Sequence, residues 1–289
     1  MVKEIVVTGA SGFLGKALLR KAASLWPQAK LRPINSPRQG GPDLESADAS
    51  RKLDEAVRLT APKRALLIHA AAVVERDGPR AILANAAMAA NVAAWAERAG
   101  VGYAVLVSSV SVYPFLPREQ AQDASPQTSY GLGKLAAELI WRSVLPQDRA
   151  SIVRVAGILG WQEKPTLFWN RLLTTAARGS PPESLPVVTG GRCLRNFISA
   201  EEAGECILQA GFRRLAGPLM AAGSEVLDTR SFVEMVQKLP GSRLRVDWGG
   251  NDAADHLIYP ASPEFKPYLK PLREILPRLW TQRPSWVLG

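Results

Sequence analysis

The chain has 289 residues, 47% of them apolar, which suits one large α/β domain with a smaller lobe. Its formal net charge is +10, yet Lys and Arg are spread along it with no basic tail. That argues against a dedicated nucleic-acid protein and leaves either a solvated basic surface or attraction of an anionic small substrate.

Cys193 and Cys206, with His69 and His256, fit no zinc spacing, so a reducing cytoplasm and no metal are expected. Met1-Val2-Lys3-Glu4 runs straight into a strand, so no signal peptide is expected. The Ala-rich stretch 81–96 is broken by Asn85 and Asn91 and is no membrane span, which points to a cytoplasmic protein without membrane contact.

Ile5-Val6-Val7 reads as a strand buried on both faces. It leads into Thr8-Gly9-Ala10-Ser11-Gly12-Phe13-Leu14-Gly15 and then the helical Lys16-Ala17-Leu18-Leu19-Arg20. Strand, glycine turn and helix form a phosphate cradle, in which Gly9, Ser11, Gly12, Phe13, Leu14 and Gly15 would meet a dinucleotide. An ordinary strand–helix turn is the alternative, since the spacing is Gly-x-x-Gly-x-x-Gly.

The second strand, near 31–35, ends in Asn35-Ser36-Pro37-Arg38 and lacks the acid that usually holds an adenosine ribose. Ser36 and Arg38 suit a 2′-phosphate, so NADP(H) is favoured and NAD(H) kept open; Arg38 as a plain loop charge is the alternative. Asp48 is the candidate adenine contact, with Asp43 competing, and residues 50–59 are expected to be helical.

The run 65–72 is a further buried strand ending in Ala70, Ala71 and Ala72, small enough to let a cofactor lie against the backbone. His69 reads as a packed strand-end residue rather than a catalyst. The helix over 81–99 offers Asn85 near the site, with a purely structural asparagine as the equal alternative.

The strand over 101–107 delivers Ser108-Ser109-Val110-Ser111-Val112-Tyr113 at the carboxyl edge of the sheet, where hydroxyls face the crevice. Tyr130 and Lys134 share one face of the next helix. An ammonium there is expected to lower the phenol pKa, fitting Tyr130 for proton transfer with Ser109 on the same substrate oxygen. Alone, Tyr-x-x-x-Lys occurs by chance in many helices.

Together these segments resemble the extended short-chain dehydrogenase/reductase family, the epimerase, dehydratase and reductase group acting on nucleotide sugars. The resemblance rests on Thr8–Gly15, Ile68–Ala72, Asn85 with Asn91, Ser108–Tyr113, and Tyr130 with Lys134. It implies a Rossmann-type doubly wound parallel sheet over 1–160, with sheet contributions from about 192–212, and a smaller substrate-binding lobe over 161–289. It implies Tyr130 as acid/base, Lys134 on the nicotinamide ribose, and Ser109 as ligand of the substrate oxygen. Ser108, Val155 and Gly157 would line the cofactor, and Val73, Ser111 and Arg195 the substrate.

The family's Arg on the substrate diphosphate is matched loosely by Arg192–Ser199, with a surface salt bridge as the alternative reading of Arg195. The acidic pair of the dehydratases is missing at Ser109-Val110-Ser111. Reduction of a 4-keto nucleotide sugar is therefore favoured. A 4-epimerase with tightly held NAD, a reductase of a non-sugar ketone, and a cofactor-binding scaffold without turnover are the rivals. The helices 81–99 and 129–143 form the usual dimer face of such proteins, so a homodimer is implied.

Overall fold

A computed structural model describes residues 2–74, 78–114, 123–163, 165, 167–178, 184–251 and 257–287. In chain order the first elements are β1 (Glu4–Thr8), α1 (Phe13–Leu25), β2 (Lys30–Ile34), α2 (Ala49–Ala56), β3 (Ala65–His69) and α3 (Pro79–Arg98). They continue with β4 (Tyr103–Ser109), α4 (Ser129–Val144), β5 (Ala150–Val155), β6 (Ile158–Leu159), α5 (Phe168–Arg178), β7 (Ser184–Thr189), β8 (Leu194–Arg195) and β9 (Ile198–Ser199). The last are α6 (Ala200–Phe212), β10 (Leu219–Ala221), β11 (Leu227–Asp228), α7 (Thr229–Gln237), β12 (Arg245–Asn251) and α8 (Leu272–Thr281).

The chain divides into two compact units. The first holds the described residues up to Val155 and then Ala200–Ala221. Its sheet has six strands in the order β10-β5-β4-β3-β1-β2, every neighbouring pair parallel. β1 and β3 are buried over their whole length, as continuous apolar runs between two helical layers demand. The chain leaves β1 toward β2 on one side and returns to β3 on the other, so the strand order reverses between β1 and β3. Ligands of such sheets bind beyond the carboxyl ends at that point.

One face of the sheet packs Val6, Leu67 and Leu106 against Met88, Val92 and Trp95 of α3 and Ala137 and Trp141 of α4. Leu18 of α1 and Ile207 of α6 are fully buried as well. Two expectations need correction here. The sixth strand comes from Leu219–Ala221, whereas most of 192–212 is the α6 helix, whose alternation is helical and not strand-like. The α2 helix stops at Ala56 rather than 59, because the following chain extends to offer the Thr60 and Ala61 amides to the buried Glu4 carboxylate at 2.9 and 3.2 Å.

The second unit holds the described parts of 156–199 and 222–289. Its core joins Leu172 and Leu173 of α5, Phe232, Val233 and Val236 of α7, and Leu272, Ile275, Leu276 and Trp280 of α8. The C-terminal helix α8 is thus a core element of this unit. Small two-stranded sheets, β12 with β7, β11 with β8 and β6 with β9, complete it. Among the described residues no helix is long and apolar enough to cross a membrane, and no three His, Cys, Asp or Glu side chains gather to hold a metal. His256 lies outside the described residues.

His69 closes β3 inside the first core, as its strand-end position suggests. Its Nδ1 lies 2.7 Å from the Thr8 hydroxyl, and its ring stacks on Trp141 at 5.8 Å. Burial, helped by the Lys134 charge, pulls its pKa from the ordinary 6.5 down to about 3. As pH falls, the unfolded chain therefore takes up this proton first, and the folded state loses stability between about 6.5 and 3. His69→Gln should flatten that acid limb, losing about 2–3 kcal/mol less than the parent between pH 7 and 4.5 in urea unfolding. Equal losses in both proteins would refute it.

Candidate active site

The turn after β1 is built by backbone contact. Gly9 sits at φ +69°, and a Cβ there would lie 2.7 Å from the Ala71 backbone, so the turns after β1 and β3 touch main chain to main chain. The Gly12 amide returns to the Gly9 carbonyl at 2.9 Å. Gly12 caps α1 without a side-chain bond, and no acid stands in the first turn. The leading amides of α1 are thereby left to an anion, which is the donor set a pyrophosphate needs. Ser11 takes a hydrogen bond from the Ser36 amide at 3.2 Å, tying this turn to the end of β2. Phe13 and Leu14 open the helix half-buried. Arg38 stands exposed in a 3-10 turn over Pro37–Gln39.

Three sequence-derived cofactor candidates are engaged elsewhere. Asn85 accepts from the Val73 amide at 3.1 Å and donates to the Val73 and Ala81 carbonyls at 3.0 and 2.9 Å, which is the structural reading of that residue. It thereby pins Val73 in place. Ser108 is buried and donates to Glu138 at 2.6 Å, so its hydroxyl serves the helix beneath. Asp48 pairs with Lys52 and Arg51, both at 3.0 Å, and bonds Ser46 at 2.8 Å. Those bonds, led by Lys52, hold its carboxyl down to about 2.

Beyond β4 the Ser109 and Ser111 hydroxyls are 3.1 Å apart, and Ser109 Oγ accepts from the Ser111 amide at 3.1 Å. The first turn of α4 lies directly over this segment. A Cβ on Gly131 would stand 2.1 Å from the Ser111 carbonyl, so glycine is what lets Tyr130 approach Ser109. Thr128 caps the helix by accepting from the Gly131 amide at 3.0 Å. Ala70, Ala71 and Ala72 are half-buried, and Val155 pairs in register with Ser109 at the same strand ends.

Lys134 is buried, with 3% of its surface exposed, and its Nζ donates to the Val107 carbonyl at 2.9 Å. Burial lowers its pKa to about 8 against the pull of Glu138. The Nζ stands 5.9 Å from the centre of the Tyr130 ring. The expected lowering of the Tyr130 pKa by Lys134 does not occur. Burial raises the phenol to about 12, and the Ser109 hydroxyl works in the opposite direction. The ammonium is turned to a β4 carbonyl, and burial is the largest cause acting on the phenol.

Two supports of this site were missed from sequence. Glu138, one turn past Lys134, accepts from Arg154 Nε at 2.9 Å and Nη2 at 2.7 Å. Arg154 in turn donates to the Tyr113 hydroxyl at 2.6 Å. The i, i+4 spacing of Lys134 and Glu138 was the available signal.

In the second unit, a Cβ on Gly157 would meet Trp169 Nε1 at 3.4 Å. Arg195 Nη1 donates to the Leu194 carbonyl at 2.8 Å, and its guanidinium stands 5.9 Å from the Trp169 ring centre.

The model of the NAD dependent epimerase/dehydratase family matches residues 5–214. An uncharacterized protein, y4nG of Sinorhizobium fredii, is 25% identical over an alignment of 264 positions that covers 85% of this chain and 63% of the length of that curated relative. Among solved structures, the dTDP-4-dehydrorhamnose reductase of Bacillus anthracis in complex with NADP is 18% identical with a TM-score of 0.78, covering 98% of this chain and 99% of that one. The UDP-N-acetylglucosamine 4-epimerase of Bacillus cereus is 17% identical with a TM-score of 0.74, covering 99% of this chain and 100% of its own. At these identities the two structures establish a shared fold, a Rossmann-type α/β sheet. The family match reaches further, running from the first strand through the glycine turn and Tyr130 to the end of α6, and by it the chain belongs to the NAD dependent epimerase/dehydratase family.

Proposed function

We propose that the protein is an NADPH-dependent reductase of a 4-keto nucleotide-diphosphate sugar. The observation that carries the reading is geometric: Gly131 lets the first turn of α4, with Tyr130, close over the Ser109–Ser111 segment, and Lys134 lies on the same helix. A phenol there can give a proton to a ketone oxygen during reduction, and the absence of an acidic pair at Ser109-Val110-Ser111 speaks against dehydration. The bound nicotinamide would supply the hydride to the ketone carbon. Ser109 would hold the ketone oxygen, Tyr130 would give it the proton, and the alcohol would form with the electron count closed.

Other residues take parts in keeping with their positions. Gly9, Ser11, Gly12, Phe13, Leu14 and Gly15 would carry the pyrophosphate. Ser36 and Arg38 would take the 2′-phosphate, while Ala70, Ala71, Ala72, Val155 and Gly157 would line the cofactor. Lys134 would hold the ribose with its cation. Val73 and Ser111 would touch the sugar, and Arg195 would grip the diphosphate. The preference for NADP(H) rests on Ser36 and Arg38 standing where an acid would hold the ribose. Leu83 of α3 and Leu132 and Leu139 of α4 are 67%, 43% and 59% exposed, a face suited to a second copy of the chain. Sedimentation would show a dimer, and Leu139→Glu a monomer.

Tyr130→Phe should cut turnover by about 100-fold or more while leaving NADPH affinity nearly intact. Wild-type turnover in that variant would sink the mechanism. Calorimetric titration of the cofactor-free protein should give tight NADPH and weak NADH, with Arg38→Ala erasing about tenfold of the difference. A stoichiometric, slowly exchanging NAD released on denaturation would instead select the 4-epimerase. Arg195→Ala should weaken a nucleoside-diphosphate ligand and spare NADPH; unchanged affinity for both would remove the diphosphate contact.

A further inference from the structure

The seam between α4 and the sheet buries three charges in series. Lys134 is 3% exposed, Glu138 1% and Arg154 8%. Lys134 and Glu138 lie one turn apart on the same helix face, and they meet consecutive residues of β4: Nζ donates to the Val107 carbonyl, while the Ser108 hydroxyl donates to Glu138 Oε1. Arg154, paired in register with Ser108, covers both oxygens of Glu138 with Nε and Nη2. Its remaining nitrogen, Nη1, reaches Tyr113, at the end of the short turn that carries Ser111. One carboxylate thus joins the helix of Tyr130 and Lys134 to β4, to β5 and, through Arg154, to the serine turn.

The other groups facing this seam are few. β3 contributes His69, which burial keeps neutral. α4 itself contributes Tyr130, and Arg142 lies 3.9 Å from Glu138 Oε2 with its own side chain 44% exposed. α3 presents the uncharged Asn85 over Gly133. Among the described residues Glu138 is therefore the carboxylate set along the helix from the buried ammonium, and Arg154 with Ser108 gives it three donors in place of water.

We propose that Glu138 is a positioning residue for Lys134: its carboxylate, clamped by Arg154 and Ser108, keeps the buried ammonium protonated and seated against β4. The weight of this for turnover rests on the role of Lys134 proposed above. The proton on Lys134 can be followed with neither cofactor nor substrate, so the two readings fail separately. The direction of the charge coupling agrees, since Glu138 opposes the loss of the Lys134 proton that burial favours.

The test is NMR of the whole protein labelled with carbon-13 at the lysine ε-carbons, with the Lys134 signal assigned by its loss in Lys134→Met. In the wild type the signal should titrate near 8. In Glu138→Gln it should move down by about one unit or more, a tenfold rise in acid dissociation. The single variant leaves Arg154 unpaired and can fail to fold, so Glu138→Gln combined with Arg154→Met, which removes both buried charges, is measured beside it. Glu138→Asp should restore most of the wild-type titration. A folded double variant in which Lys134 titrates as it does in Arg154→Met alone overturns the proposal, as does a wild-type Lys134 already neutral at pH 7.

Discussion

A lysine cation held in the dry seam between a helix and a parallel sheet is the constraint around which this fold is arranged. Stripping water from an ammonium costs several kcal/mol unless other groups replace it. Here a β4 carbonyl takes one of its hydrogens, and an anion lies one turn along the helix. That anion needs its own partners, which draws in Ser108 and Arg154, and Arg154 draws in Tyr113. Each buried polar group therefore fixes the next. The result is a polar thread through an otherwise apolar layer formed by Leu67, Leu106, Ala137 and Trp141.

The second principle is close approach of backbone. Ser109 and Tyr130 come from different elements and meet because Gly131 has no side chain to hold α4 off the Ser111 carbonyl. The same device brings the turn after β1 against the turn after β3 at Gly9 and Ala71. Both contacts sit at the carboxyl ends of strands held in parallel register, so hydroxyls, amides and the phenol gather at one edge of the sheet.

Much of this was legible in the chain. Continuous apolar runs gave β1, β3 and β4, and the hydroxyl and phenol motifs named Ser109, Tyr130 and Lys134 from their order and spacing. What escaped was whatever depends on which side chain faces which. Ser108 and Ser109 are neighbours on a strand and so point to opposite faces; one joins Ser111 and the other is committed to Glu138. For Asn85 the sequence left a site contact and a structural role equally open, and its side chain is taken up by backbone. The Tyr130 pKa went in the unexpected direction because pairwise proximity was legible in sequence, whereas depth of burial was not. Leu219–Ala221 announces itself as a short apolar strand, but its pairing with β5 is a long-range contact that local pattern does not carry.

The first unit is not continuous in sequence: it pauses at Val155 and resumes at Ala200. The resumed stretch supplies α6, whose Ile207 is fully buried, and the strand β10 that pairs with β5. During synthesis the ribosome therefore releases the whole nucleotide-type motif, with Ser109, Tyr130 and Lys134, well before the pieces that finish its sheet. Until residues 200–221 emerge, β5 is a bare edge, and such edges invite pairing with other chains. The pairing of Leu219–Ala221 with β5 closes a loop of more than sixty residues, a non-local step that sets a slow pace for folding. Formation of the helix that carries Tyr130 and completion of its sheet are thus separate events in time, the second waiting on synthesis of residues 156–199.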